Sequence, residues 1–84
     1  MSYYWIITKD MLDTNKDYSA VGIEGPAGNR RTKENPVKFN MYDDDDNCYY
    51  EGMLYGDYEG FEPLDDFGMP HTGCTYIKIN GELI

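Results

Sequence analysis

The chain has 84 residues and a formal net charge of −9, with 27% charged and 40% hydrophobic residues. This length fits one domain, residues 1–84, and the composition is too apolar and aromatic for a chain that is disordered throughout. There is no run of 18 apolar residues, and the N-terminus lacks the basic and apolar regions of a signal peptide. We therefore expect a single folded domain in the cytoplasm.

Five apolar, β-prone clusters follow one another along the chain, each bounded by Gly, Pro, Asn or Asp. They are Tyr3–Thr8, Tyr18–Ile23, Val37–Tyr42, Cys48–Tyr55 and Cys74–Ile79. Polar and apolar side chains alternate within the third and the fifth, as they do in half-buried antiparallel strands. The prediction is an all-β or β-rich α+β domain, a single antiparallel sheet of four to five strands with long loops.

The connections between these clusters differ in composition. Four consecutive Asp and one Asn in residues 43–47 predict an exposed β-hairpin turn. Residues 25–36 contain two Pro and two Gly and predict a loop, in which residues 32–35 have the composition for one helical turn. Residues 10–17 predict a short helix or a wide turn. Residues 61–70, whose apolar side chains are irregularly spaced, predict a loop packed against the core.

Charge is distributed unevenly along the chain. Residues 1–41 are close to neutral, whereas residues 42–77 contain ten Asp and Glu and no Lys or Arg. Such a segment repels nucleic acids and anionic membranes and attracts basic surfaces. We therefore expect a protein partner with a basic nucleic-acid-binding surface, and no direct binding of nucleic acid or membrane. The alternative is that the acids only keep a small domain soluble.

No motif predicts a catalytic, metal or cofactor site. The aspartate run lacks the glycine and the glutamate of a calcium-binding hand loop. His71, Cys74 and Cys48 supply three zinc ligands without a fourth, and no basic group stands beside either thiol to activate it. We expect both cysteines to be free in a reducing compartment. The glycines at 22–28 lack the Lys-Ser/Thr ending of a phosphate loop and predict a turn.

One pattern lies within residues 49–75 and, with two shorter stretches nearer the N-terminus, extends over most of the chain: Tyr49-Tyr50-Glu51-Gly52, Gly56-Asp57, then Glu62-Pro63-Leu64-Asp65-Asp66-Phe67-Gly68-Met69-Pro70 and Gly73-Cys74-Thr75. It resembles small uncharacterised acidic proteins of bacteria and their phages, as do Trp5 to Asp10 and Val21-Gly22 to Gly25-Pro26. The resemblance implies a bacterial host, and it carries no activity or site residue. In general character, such proteins are similar to phage inhibitors of host nucleases, restriction enzymes or CRISPR complexes.

The sequence therefore favours a non-enzymatic anti-CRISPR or anti-restriction inhibitor. It would imitate nucleic acid on the basic surface of a host defence or DNA-handling protein. Carboxylates would supply the charge and exposed tyrosines the apolar anchors. These predicted contact residues are Asp43, Asp44, Asp45, Asp46, Glu51, Asp57, Glu59, Asp65, Asp66, Tyr49, Tyr50, Tyr55 and Tyr58. Two alternatives stay open, an assembly module such as a homodimer with incidental acidity, and a binder of small ligands or divalent ions.

Overall fold

The computed structural model describes residues 2–11 and 19–83. They form one antiparallel sheet in the order β2-β1-β4-β3-β5-β6. Its strands are β1 (Tyr3–Asp10), β2 (Glu24–Gly25), β3 (Val37–Tyr42), β4 (Cys48–Gly56), β5 (Tyr76–Ile79) and β6 (Glu82–Leu83). A π-helix, Leu64–Thr72, precedes β5. The predicted β-rich domain with a single antiparallel sheet is confirmed, with two-residue strands at both edges.

Four predicted strands correspond to β1, β3, β4 and β5, with ends that differ by at most two residues. The predicted strand Tyr18–Ile23 is wrong over its described residues, because the chain turns there. Gly22 has a φ of 94°, and the Ile23 N–H donates to the Ala20 carbonyl at 3.0 Å. The Gly22 N–H and the Ile23 carbonyl bond to Ile7 of β1, and the regular strand pairing with β1 is made by the two residues of β2, which follow the turn.

The loop predicted at residues 61–70 is mostly helical, but its predicted packing against the core is confirmed for Leu64 and Phe67, while Phe61 is exposed. The Cys74 N–H and the Thr72 hydroxyl both donate to the Gly68 carbonyl, at 3.1 and 2.6 Å. The turns of a π-helix are wider than those of an α-helix and space the inward side chains differently. The segment therefore lacks the 3.6-residue period by which helices are recognised. Gly73, with a φ of 81°, ends the helix.

Two other predicted elements have different outcomes. The helical turn predicted at residues 32–35 does not form, and a short 3₁₀ helix occupies Ala27–Asn29 instead. Its first turn follows Pro26, whose fixed φ suits the start of a helix. The helix or wide turn predicted at residues 10–17 lies mostly outside the described residues, and within them residue 10 ends β1.

The core lies on one face of the sheet. Antiparallel register brings together its fully buried side chains from four strands, which are Trp5, Ile7, Phe39, Met41, Leu54 and Ile77. Residues 57–75 cross over this face and cover it, with Leu64 and Cys74 buried in the same cluster. We call residues 57–75 the covering layer and the opposite side of the sheet the open face. Each strand alternates between the two, so the register fixes which side chains reach each surface.

Gly52 in β4 is required by the packing of this core. A Cβ atom at residue 52 would lie 2.2 Å from the Ile6 carbonyl oxygen and 2.5 Å from Cζ of Phe39. Both contacts are shorter than any tolerated separation, and the first is with backbone. The Phe39 ring therefore occupies the space that a side chain at residue 52 would need.

We predict that Gly52→Ala lowers the free energy of unfolding by about 1–3 kcal/mol through overpacking, measured by urea denaturation. Gly28→Ala is the matched control, since a Cβ there meets nothing within 4 Å. Its effect should stay within about 0.5 kcal/mol. Equal stability of the two variants would contradict the packing described for Phe39.

Candidate functional site

The covering layer carries negative charge without any Lys or Arg. Its carboxylates are Asp57, Glu59, Glu62, Asp65 and Asp66. Glu62 accepts hydrogen bonds from the backbone N–H groups of Glu59 and Gly60, at 2.7 and 2.8 Å. Asp65 and Asp66 are exposed in the first turn of the π-helix, where the positive end of the helix dipole favours negative charge. Four residues from the predicted contact set therefore lie together, joined by Glu62, which that set omitted.

The hairpin tip, residues 43–47, carries the other four predicted aspartates at the far end of β4. Asp43 shapes the turn, because its carboxylate accepts from the N–H groups of Asp45 and Asn47, both at 2.9 Å. These bonds, first the one from Asn47, hold the pKa of Asp43 below its usual value. Asp44 and Asp45 are exposed, as predicted for the tip. Strand β4 lies between the tip and Asp57, the covering layer's first acid, and it spans about 26 Å at a rise of roughly 3.3 Å per residue.

Cations gather on the open face. Five of the six Lys and Arg residues in the described part of the chain lie on it or over its rim: Lys9, Arg30, Lys33, Lys38 and Lys78. Carboxylates also reach this side, where Glu24 and Glu51 form ion pairs and Asp46 of the tip accepts a hydrogen bond from Tyr76. Glu24 pairs with Arg30, and Glu51 pairs with Lys38 at 2.5 Å. The sheet therefore separates an acidic layer from a face with a net positive charge.

Stacked tyrosines accompany these cations on the open face. Tyr42 and Tyr76 stack with ring centroids 4.9 Å apart and planes 2° apart, and Tyr4 and Tyr55 lie 6.0 Å apart. The ammonium groups over them are those of Lys78, 5.0 Å from Tyr42, and Lys33, 5.0 Å from Tyr55. Tyr76 donates to Asp46 at 2.5 Å, and this bond raises its pKa to about 12. Each ammonium group forms a cation–π pair with the tyrosine ring beneath it.

The remaining predicted contact residues do not form one surface. Tyr50 is buried in the core, and Tyr49 packs beside it with rings at 89°, because a β-bulge turns both toward the core face. Glu51 and Tyr55 lie on the open face, away from the acidic layer. Tyr58 is half-buried at the layer and donates to the Asn35 carbonyl at 2.9 Å. Of the four tyrosines, Tyr58 alone accompanies the acids of the layer.

An open groove of about 530 Å³ lies where the π-helix meets β1 and β2. It is lined by Tyr3, Trp5, Ile23, Glu24, Gly25, Pro26, Asp66, Phe67 and His71. Oδ2 of Asp66 accepts from the Tyr3 hydroxyl at 2.8 Å and from the Trp5 indole N–H at 3.0 Å. Burial and then this bond raise the pKa of Tyr3 to about 12, so its hydroxyl stays a donor. No sequence pattern links residues 3 and 5 to residue 66, so the groove could not be predicted.

Two thiols lie in the described part of the chain. Cys48 and Cys74 are free thiols, as predicted. Burial raises the pKa of the Cys74 thiol, which disfavours the reactive thiolate. Within residues 2–11 and 19–83 no three His, Cys, Asp or Glu side chains are grouped to hold a metal ion. In the same residues, no helix has the length and apolar character needed to cross a bilayer.

Comparisons with family models, with curated proteins and with solved structures find no match to this chain. We therefore infer its function from the side chains and surfaces described above.

The tip gives a prediction about acid stability. The folded-state pKa of Asp43 lies below its unfolded value, so its bonds stabilise the fold above the unfolded pKa, about 3.9. This contribution is lost as the pH falls through the lower folded value. We expect Asp43→Asn to lose less stability than the unmodified protein between pH 7 and pH 3, measured by urea midpoints.

The control is Asp44→Asn, which removes the same charge from the same turn but makes no hydrogen bond within the described residues. Its loss of stability on acidification should match that of the unmodified protein. An equal loss for all three proteins would show that Asp43 does not hold the turn.

Proposed function

We propose that the protein is a non-enzymatic inhibitor of the phage type. It places its acidic layer and hairpin tip on the basic nucleic-acid-binding surface of a host defence or DNA-handling protein, such as a restriction or CRISPR nuclease. The observation that carries the proposal is the separation of charge across the sheet. The covering layer has five carboxylates and no Lys or Arg, and five cations lie on or beside the opposite face.

The separation gives the molecule a direction of approach. A net charge of −9 makes the whole protein attractive to a basic surface, and the cations on the open face make the acidic side the preferred one. Screening limits the effect of charges beyond about 8 Å at physiological salt, so only the side that meets the partner matters at contact. An evenly mixed surface would keep the protein soluble without creating this preference.

The positions of the acids suit a surface built to hold nucleic acid. Strand β4 lies between the tip and Asp57, and it is about 26 Å long at a rise of roughly 3.3 Å per residue. The phosphates of one DNA strand repeat about every 3.4 Å along the axis, so this length corresponds to about eight base pairs. The two acidic groups would then meet opposite ends of a basic groove, while the acid-poor helix surface between them lies over its middle.

The covering layer also supplies apolar contacts, from the helix and from the residues that precede it. Met69 is 52% exposed and Phe61 is 42% exposed, and Tyr58 lies half-buried nearby. Rim charges mostly set the rate and orientation of approach, whereas buried apolar and aromatic side chains hold a complex together. The covering layer therefore offers both parts of an interface.

A second candidate is an assembly module. The cations of the open face could meet the acids of another copy's covering layer, a head-to-tail contact between unlike surfaces. The observation that favours it is again the charge separation, since the two sides of one molecule are complementary to each other. It requires no host partner.

The test compares three double variants that all carry two fewer negative charges. Asp57→Asn with Asp65→Asn changes the layer, and Asp44→Asn with Asp45→Asn changes the tip. Glu34→Gln with Glu82→Gln is the control, because these exposed acids lie outside both. Each tagged protein is used to capture proteins from a nuclease-treated bacterial lysate, and competing duplex DNA is then added.

We expect the unmodified protein and the control to retain proteins that duplex DNA displaces. The layer and tip variants should retain about fivefold less, since two lost ion pairs are together worth about 1 kcal/mol. Retained proteins that DNA does not displace, or equal retention by all variants, would contradict the proposal. Sedimentation of the protein alone as larger species that both acidic variants abolish would favour the assembly module.

A further inference from the structure

We propose that the groove between the π-helix and β1 is a binding site for a guanidinium group, the side chain of an arginine supplied by the partner. The inference rests on the proposed function and deepens it, because it names the partner group that the acidic layer grips most specifically. The groove combines aromatic walls with one carboxylate that is held in place from behind.

The carboxylate of Asp66 is oriented by two donors on the same oxygen. The Tyr3 hydroxyl and the Trp5 indole N–H both bond to Oδ2, at 2.8 and 3.0 Å. A carboxylate has about four acceptor positions, so two remain. Oδ1 has no hydrogen-bond partner among the described residues, and Asp66 is exposed. The remaining acceptor positions are therefore free for a ligand that donates in pairs.

The other charges nearby are already neutralised or turned to other partners. Glu24, which also lines the groove, accepts hydrogen bonds from Tyr4 and Arg30 on the open-face side. The carboxylate of Glu62 is bonded to backbone N–H groups. In the described part of the groove lining, Asp66 is thus the carboxylate left to meet a cation.

Aromatic rings form the walls. Phe67 lies 6.0 Å from Trp5 and 5.8 Å from His71, with ring planes tilted by 37° and 36°. Phe67 and Tyr3 are half-buried and His71 is exposed, so ring surface remains accessible at the groove. Cations are attracted to aromatic faces, so the accessible ring surfaces of Phe67 and His71 in the groove lining can receive a cation beside Asp66.

This chemistry selects arginine over lysine. A guanidinium is planar, stacks on aromatic rings and donates two parallel hydrogen bonds to one carboxylate. An ammonium group is more strongly hydrated, and it has no flat surface with which to stack on an aromatic ring. Arginine is also the cation most enriched among residues that dominate protein interfaces.

The test uses small probes and the single tryptophan of the chain. N-acetyl-arginine amide is titrated into the ¹⁵N-labelled protein, and the Trp5 indole N–H signal is followed by NMR. That N–H donates to Asp66, so it reports directly on this carboxylate. N-acetyl-citrulline amide is the matched probe, because it has nearly the same shape without the charge.

We expect saturable movement of the Trp5 signal with the arginine probe, and at least about fivefold weaker binding of the citrulline probe, a difference of about 1 kcal/mol. Asp66→Asn, which can still accept from Tyr3 and Trp5, should weaken arginine binding by a similar factor. Phe67→Leu should do the same while leaving Asp66 intact. Asp44→Asn, a matched loss of charge at the tip, should bind as the unmodified protein does.

Equal binding of the two probes, or unchanged arginine binding by Asp66→Asn with a native-like spectrum, would overturn the site. The result is separable from the proposed function. If the groove binds arginine as described but the capture experiment fails, the inhibitor role is wrong and the site stands. If capture succeeds and the arginine probe does not bind, the partner is held by other contacts.

Discussion

The carboxylate of Asp66 joins the two layers of this fold. It accepts hydrogen bonds from Tyr3 and Trp5 in β1 while lying in the first turn of the π-helix. This interaction fixes where the covering layer crosses the sheet, and it places an acidic turn over the end of an aromatic cluster. The groove and the acidic turn depend on that attachment, because both need the helix to begin beside β1, while Leu64 and Phe67 pack the layer onto the core.

The chain covers one face of its six-stranded sheet with its own side chains. In the described residues the layer at 57–75 does so, and the other face carries stacked tyrosines and lysines. The charge pattern follows from the topology, since the cation-free half of the sequence supplies the layer and the more basic half supplies the outward positions of β1 and β3. The net charge of the chain, −9, does not show that the molecule has two surfaces whose charges are opposite in sign.

Much of the sheet was predictable because alternation and turn residues are local signals. Val37–Tyr42 and the aspartate turn after it are where the sequence indicated. The π-helix was not predictable, since its wide turns erase the usual period, and Gly22 with its positive φ makes a turn where a β-prone segment predicted a strand. For the site, the sequence predicted which acidic residues the surface contains, but not which side of the sheet each one lies on. Whether Glu51 joins Asp65 or faces away depends on register and on where the layer crosses, which are long-range features.

The separation of charge is most directly measured by paramagnetic relaxation of two methionine methyl groups. Met53 lies on the open face beside buried Leu54, and Met69 is exposed on the covering layer. Cationic and anionic nitroxide probes of the same size would be added in turn. If the two sides differ in charge, the cationic probe relaxes Met69 more strongly, and the anionic probe has a larger relative effect at Met53. The same ratio of the two effects at both methyl groups would contradict the separation of charge.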